Sequence, residues 1–131
     1  MLYLVRGLPG SGKTTYAKTL NCFHLEADMY MMENGQYCYD HSRVGLAHDW
    51  CYQQACQAID EGMDVVVSNT FIKLKFMIPY IQYAREHDCP ISIKEMSGDY
   101  GNIHNVPEEV MESMKKAWEP LPDNFLNHAG L

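Results

Sequence analysis

The chain has 131 residues, of which 47% are hydrophobic and 21% charged, and its formal net charge is −7. This length suits one domain with a core of its own, and the composition excludes wholesale disorder. The acidic balance disfavours a protein that coats nucleic acid with a broad basic face, because phosphate neutralisation requires clustered Lys and Arg. It leaves open a local pocket that grips one strand end.

Cysteine spacing and hydropathy bear on the cellular compartment. The five cysteines are an odd number without a CxxC pair, so reduced thiols are expected and neither a zinc site nor a disulfide framework is favoured. The apolar start, Met1 to Val5, has the length of a strand and is ended by Arg6. Neither a signal peptide nor a membrane span is predicted. We therefore expect a cytoplasmic protein with no membrane partner.

The first predicted element is a buried strand, LYLVR, from Leu2 to Arg6, which a glycine ends. A glycine-rich loop follows, and then a helix from about Lys13 to Leu20. FHLEAD, from Phe23 to Asp28, predicts a second short strand that ends in an acid. The stretch MYMMENGQYCYD contains the turn signal Asn-Gly and predicts a short helix and a loop.

A long helix is predicted from about His41 to Glu61, because apolar residues recur there every three or four positions and Gly62 suits a C-terminal cap. DVVVSNT, from Asp64 to Thr70, is the clearest central strand. A helix from about Lys73 to His87 and a strand from Ile91 to Met96 follow.

The carboxyl-terminal part begins with SGDYGNIHN, which predicts a loop. A helix is predicted from Pro107 to about Trp118, with proline at its first position and acids in its first turn. Residues after Pro120 are expected to be irregular. Strands that alternate with helices predict a single α/β domain over residues 1–131, with three layers and a mostly parallel sheet between helices.

The glycine-rich loop carries the most specific motif of the chain. GLPGSGKT fits the Walker A pattern G-x-x-x-x-G-K-[ST] at every fixed position and lies between a predicted strand and a predicted helix. Such a loop cradles phosphates with backbone N–H groups, while its lysine reaches the β- and γ-phosphates and its threonine hydroxyl binds Mg²⁺. The sequence therefore predicts ATP and Mg²⁺ as cofactors. The predicted nucleotide-binding residues are Gly7, Gly10, Ser11, Gly12, Lys13, Thr14 and Thr15, with Thr14 as the metal ligand.

Polar residues at two predicted strand ends are candidates for the chemistry. Asp28 ends the second strand, where it can accept a proton from an attacking hydroxyl or, alternatively, cap the next helix. An acid usually follows the central strand to orient water on Mg²⁺, but here the strand ends in Ser68-Asn69-Thr70. Ser68 or Asn69 can hydrogen-bond a metal-bound water, with weaker metal affinity.

The chain resembles P-loop kinases of the polynucleotide 5′-hydroxyl kinase type, small AAA-like ATP-binding proteins related to phage polynucleotide kinase. The resemblance covers residues 1–121 and leaves 122–131 as a short tail. Besides the glycine loop, the matching stretches are ADMY, AHDWC, VVVSNT, PYIQYA, NIHNVPEEV and WEPL.

This resemblance implies that Lys13 and Asp28 are catalytic, with Asp28 as the general base that activates a 5′-hydroxyl of DNA or RNA. It implies that Asn69 and Thr70 lie beside the acceptor, and that residues 101–106 form a lid over the nucleotide. Asn102 and His104 belong to that lid, and His104 is a candidate phosphate contact.

Three positions depart from the family pattern. Met31 and Gly101 stand where an arginine is usual, and Ser68-Asn69 stands where an aspartate is usual. An arginine that stabilises a transferring phosphate contributes roughly 10³–10⁵-fold, so transfer would be slow unless another cation substitutes. Arg43 is one candidate; Lys73, Lys75 and Arg85 are others.

Three functions remain open at this point. The first is transfer of the ATP γ-phosphate to the 5′-hydroxyl of a nucleic acid. The second is a kinase that acts on a small hydroxylated metabolite or nucleotide, which the acidic composition favours. The third is an ATP-binding sensor or interaction module that has lost turnover, which the neutral positions favour.

Overall fold

A computed structural model describes residues 1–33, 36–37, 41–98 and 107–128. The strands are β1 (Leu2–Arg6), β2 (Phe23–Leu25), β3 (Met32–Glu33), β4 (Gln36–Tyr37), β5 (Val65–Asn69) and β6 (Ile91–Glu95). The helices are α1 (Lys13–Thr19), α2 (Val44–Asp60), α3 (Ile78–Glu86), α4 (Glu108–Ala117) and α5 (Phe125–His128). Short 3₁₀ helices occupy Ala27–Met31, His41–Arg43 and Leu74–Phe76. Among the described residues, no helix combines the length and apolar character needed to cross a membrane.

The central sheet has four parallel strands in the order β2-β5-β1-β6. β1, which leads into the glycine loop, therefore lies between β5 and β6. Because all four strands run the same way, their carboxyl ends share one edge of the sheet, where ligands bind in open α/β sheets. β3 and β4 form a separate antiparallel pair.

Helices cover both faces of this sheet. α1 packs on β1 and β5, where Ala17 meets Val5 and Val66. α2 and α3 cover the opposite face, where Val65 and Val67 join the larger core cluster. Since side chains alternate along a strand, Ser68 follows Val66 on the α1 face and Asn69 follows Val67 on the α2 face. This alternation decides what each strand-end residue can contact.

The predicted fold class is confirmed: the domain is an α/β layer structure with a parallel sheet between helices. The predictions for β1, α1, α2, β5 and β6 agree with the structure to within three residues at each end, and the bounds of β1 agree at both ends.

Several boundaries were predicted wrongly. β2 ends at Leu25, not at Asp28, because the Ala27 N–H turns away from the ladder to donate to Asn69 Oδ1, at 2.8 Å. The stretch expected to form a short helix and a loop also contains the β3–β4 pair. The helix expected from Lys73 starts as a 3₁₀ turn, with α3 beginning only at Ile78. The tail, expected to be irregular, contains α5.

Candidate active site

The glycine loop runs from the end of β1 to the start of α1 and needs glycine for two different reasons. Gly12 has φ 94°, a left-handed conformation that side chains disfavour, and it caps α1. At Gly7 the limit is space: an added Cβ would overlap Ser11 Oγ and lie 2.9 Å from the Met96 carbonyl oxygen. The loop therefore closes tightly against the end of β6.

Lys13 lies in the first turn of α1 and folds back over the loop. Its Nζ donates to the Leu8 carbonyl at 3.0 Å. Burial lowers the pKa of Lys13 to about 8, against the opposing effect of the nearby Glu26 and Asp28 carboxylates. The ammonium group is thus charged at neutral pH and lies near two acids. Among the described residues, its hydrogen bond goes to a neutral carbonyl, which a phosphate could replace.

Glu26 is the site residue that the sequence analysis missed. It follows β2 and is 9% exposed. Its Oε2 accepts hydrogen bonds from Thr14 Oγ1 at 2.8 Å and, in the tautomer that carries the proton, from His24 Nε2 at 2.7 Å. Burial alone would raise the pKa of Glu26, but these hydrogen bonds and the Lys13 charge outweigh it, so the net pKa is lowered. The carboxylate is ionised and bonded to the predicted metal ligand.

One signal in the sequence could have revealed Glu26. His24 and Glu26 are two residues apart in a short strand, so both side chains project from one face of the sheet. The sequence analysis instead treated FHLEAD as a strand ending at its last acid.

Asp28 lies in the 3₁₀ turn immediately after Glu26 and is half-buried. It is close enough to Lys13 and His48 for their charges to interact. The alternative role of N-cap does not hold, because Glu26 precedes this turn and Arg43 precedes α2. Its role as general base stays a prediction.

The strand-end residues of β5 divide between the two faces of the sheet. Asn69 is 7% exposed on the α2 face, where its Oδ1 accepts from the Ala27 N–H and its Nδ2 donates to Cys51 Sγ at 3.6 Å. Ser68 is 2% exposed, and its Oγ has no hydrogen-bond partner among the described residues. Asn69 thus holds the turn that carries Asp28, while Ser68 leaves a polar atom unsatisfied near α1.

The remaining predicted positions are distributed as follows. The Thr70 carbonyl accepts from the Gly7 N–H at 3.3 Å, and Thr15 is exposed on α1. Arg43 donates a hydrogen bond to the Tyr30 backbone carbonyl at 3.1 Å, and its guanidinium lies 5.1 Å from the centre of the Tyr30 ring. The lid residues Gly101, Asn102 and His104 lie outside the described residues.

Met31, at one of the neutral positions, is 3% exposed and belongs to the hydrophobic core. An arginine there would be buried in apolar surroundings.

Arg6 was expected only to end a strand, but it is fully buried and extensively bonded. Its guanidinium donates to Glu95 Oε2 at 2.8 Å and to the carbonyls of Phe71 and Glu119, both at 2.8 Å. It also lies 3.9 Å from the ring centre of Trp118. Arg6 thereby links β1, β6, the segment after β5 and the segment after α4 directly beneath the glycine loop.

A cavity of about 260 Å³ adjoins the glycine loop on the side of β6. Its lining includes Leu8 and Ser11 of the loop, Met96 and Gly98 after β6, and Lys115 and Trp118 at the end of α4. The space is smaller than a typical cavity for a whole ligand and has the size of a site for part of one.

The oxygen donors near α1 fit the chemistry of Mg²⁺. Thr14 offers a hydroxyl, Glu26 an ionised carboxylate, and Ser68 a buried hydroxyl without a partner in the described structure. Hard oxygen ligands of this kind are those that Mg²⁺ prefers, and it typically takes one or two carboxylates with phosphates and water.

Residues 2–99 match the AAA_33 family, described as AAA domain. The chain belongs to this family. Its members are P-loop kinase-like domains, in agreement with the loop and sheet described above. A curated relative, human NEDD4-binding protein 2, is 30% identical over 134 residues. The match covers 91% of this chain but only 8% of that protein, so the chain spans a small part of this relative's length.

Solved structures with the same fold include a gluconokinase and a protein crystallised with ADP-AlF3. Kti12 of Chaetomium thermophilum in complex with ADP-AlF3 has a TM-score of 0.64 at 13% identity and covers 95% of this chain and 83% of its own. A gluconokinase from Sinorhizobium meliloti 1021 has a TM-score of 0.61 at 16% identity, and the match covers 90% of this chain and 74% of the gluconokinase chain. A chain of a Pnkp1/Rnl/Hen1 complex has a TM-score of 0.60 at 18% identity, and the match covers 86% of this chain and 38% of that one. At these identities the likeness shows the fold.

Proposed function

We propose that this P-loop kinase-like domain binds ATP with Mg²⁺ and transfers the γ-phosphate to the 5′-hydroxyl of a DNA or RNA strand. The observation that carries the proposal is that Lys13, in the first turn of α1, and Asp28, in the turn after β2, both lie at the carboxyl edge of the sheet, near enough for their charges to interact. A carboxylate there is within the electrostatic reach of the group that binds the terminal phosphates, where an acceptor hydroxyl must arrive for transfer.

The residues would divide the work as follows. Lys13 would leave the Leu8 carbonyl and bind the β- and γ-phosphates. Thr14 would offer its hydroxyl to a bound Mg²⁺, which would supply positive charge beside the phosphates. Asp28 would accept the proton of the 5′-hydroxyl while the oxygen of this hydroxyl bonds to the γ-phosphorus. The bond between the γ-phosphorus and the oxygen that bridges it to the β-phosphate would break, and ADP would be released. The cavity beside Trp118 would accept the nucleobase, because its lining combines this aromatic ring and the apolar Leu8 and Met96 with the charged Glu95 and Lys115.

The decisive experiment measures transfer from γ-labelled ATP, with Mg²⁺, to a panel of DNA and RNA oligonucleotides that carry a 5′-hydroxyl. Label should appear on these oligonucleotides and not on the same sequences with a 5′-phosphate. Asp28→Asn should lose the transfer, whereas the matched variant Asp88→Asn, at the opposite edge of the sheet, should retain it. Correctly folded protein that binds ATP but labels no oligonucleotide would overturn the proposal.

A kinase of a small hydroxylated compound is the second candidate, and the burial of Met31 favours it. An acceptor with its own phosphate needs a cation near Asp28, and at position 31 the chain places a core side chain. The net charge of −7 also disfavours long polyanions. Product mass spectrometry after incubation with pools of nucleosides, nucleotides and sugars separates this candidate from the first. Tight ATP binding without transfer to either class would indicate a binding module.

A further inference from the structure

We propose that Glu26 supplies the carboxylate of the divalent-cation site, in place of the acid that is missing at the end of β5. The site would comprise Thr14, Glu26 and Ser68, with the nucleotide phosphates as the other ligands. The inference rests on the proposed binding of nucleotide, but not on the identity of the acceptor.

The register of the sheet shows how Glu26, which follows β2, could take the place of an acid at the end of β5. Ser68 pairs with Val5, the residue two positions before the glycine loop, and projects from the face covered by α1. The β2–β5 ladder ends at the pair Leu25 and Val67. Glu26 and Ser68 are therefore the next residues on neighbouring strands, and both belong to the α1 face.

Side-chain length compensates for the displacement by one strand. Adjacent strands lie about 4.8 Å apart, so a carboxylate on β2 starts farther from α1's first turn than one on β5. Glutamate has one methylene more than aspartate, and Glu26 reaches Thr14 Oγ1 at 2.8 Å. The predicted metal ligand and the relocated acid are already in contact.

The bonding of Glu26 leaves coordination capacity. Both of its hydrogen bonds, from Thr14 and His24, go to Oε2, and none from the described residues goes to Oε1. Ser68 Oγ, 2% exposed and without a described partner, is an independent sign that a ligand or bound water belongs on this face. A purely structural glutamate would not explain that unsatisfied hydroxyl.

The test titrates Mn²⁺ into the full chain with saturating ATP, following free Mn²⁺ by electron paramagnetic resonance. In parallel, the Kd of a fluorescent ATP analogue is measured with Mg²⁺ and with EDTA. Glu26→Gln should weaken Mn²⁺ binding by roughly 10–100-fold, and it should not weaken ATP binding in EDTA, because it removes a negative charge beside the proposed phosphate site. Glu61→Gln, an exposed control at the end of α2, should change neither. Unaltered Mn²⁺ affinity in Glu26→Gln would overturn the proposal.

A second variant tests directly whether a carboxylate on β5 can replace that of Glu26. Adding Ser68→Asp to Glu26→Gln returns a carboxylate to β5 and should restore Mn²⁺ affinity to within a few-fold of the native value. No recovery would overturn the shared site.

If circular dichroism shows that Glu26→Gln does not fold, Glu26→Asp is the alternative, because it keeps the charge but has a shorter side chain. It should weaken Mn²⁺ binding, and native affinity in this variant would also overturn the proposal. Absence of nucleotide binding even in EDTA would instead contradict the proposed function.

Discussion

In the proposed site, the ammonium group of Lys13 should make nucleotide binding dependent on pH. Its pKa is lowered to about 8 in the free protein, chiefly by burial, and phosphate contact would raise it again. Because the charged form binds phosphate, affinity should be constant below about pH 8 and fall as the pH rises above it, with proton uptake on binding. Calorimetry in buffers of different ionisation enthalpy measures this uptake. Affinity that rises from pH 7 to pH 9 would contradict the assignment.

Lys13 and Asp28 should separate binding from transfer. Lys13→Ala removes the phosphate-binding charge, so ATP affinity and transfer should both be lost. Asp28→Asn removes the proposed general base and retains the shape of the side chain, so ATP affinity should stay near native while transfer falls by roughly 10²–10⁴-fold. Single-turnover kinetics with ATP in excess of its Kd separates the two effects. Equal transfer rates for native protein and Asp28→Asn would remove this residue from the mechanism.

At the scale of elements, the turn that carries Asp28 depends on β5. The Ala27 N–H donates to Asn69 Oδ1 in the buried interior, so Asn69→Ala would leave this N–H unsatisfied and cost about 1–3 kcal/mol of stability. Since the turn can then shift, transfer should fall more than ATP affinity does. Asn69→Asp keeps the acceptor oxygen for the Ala27 N–H but loses the Nδ2 donor to Cys51, so it should lower stability while it reduces transfer less than Asn69→Ala does. Urea unfolding measures the stability and the single-turnover assay measures the transfer; an equal loss of transfer in the two variants would contradict this positioning role.

At the scale of the whole molecule, Arg6 joins segments that are far apart in the chain. It bonds Glu95 and backbone carbonyls as distant as that of Glu119. Arg6→Met would leave buried carbonyls without a donor, and we expect a loss of at least about 2 kcal/mol in the free energy of unfolding. Arg85→Met, an exposed control on α3, should cost under about 0.5 kcal/mol. Urea denaturation measures both; equal stability of the two variants would show that the buried network is not structurally important.

Local patterns predicted most of the fold. The three valines of β5, the apolar periodicity of α2 and the glycine, lysine and threonine spacing of the loop all act within one element or between neighbours. For this reason the alternation of strands and helices, their parallel pairing and the position of the loop could be predicted, whereas the order of the strands in the sheet was not. The prediction was wrong where a distant contact decides a boundary, as at β2, whose end is set by Asn69.

The sequence by itself determined the glycine-rich loop and the α/β architecture, since both follow from spacings of a few residues along the chain. Only the tertiary structure decided which side chains surround that loop. It brought Glu26 to Thr14, Asn69 to Ala27, and Arg6 beneath the loop. These contacts depend on the parallel register and on which face of the sheet each side chain occupies, and both of these are set by the packing of whole strands and helices.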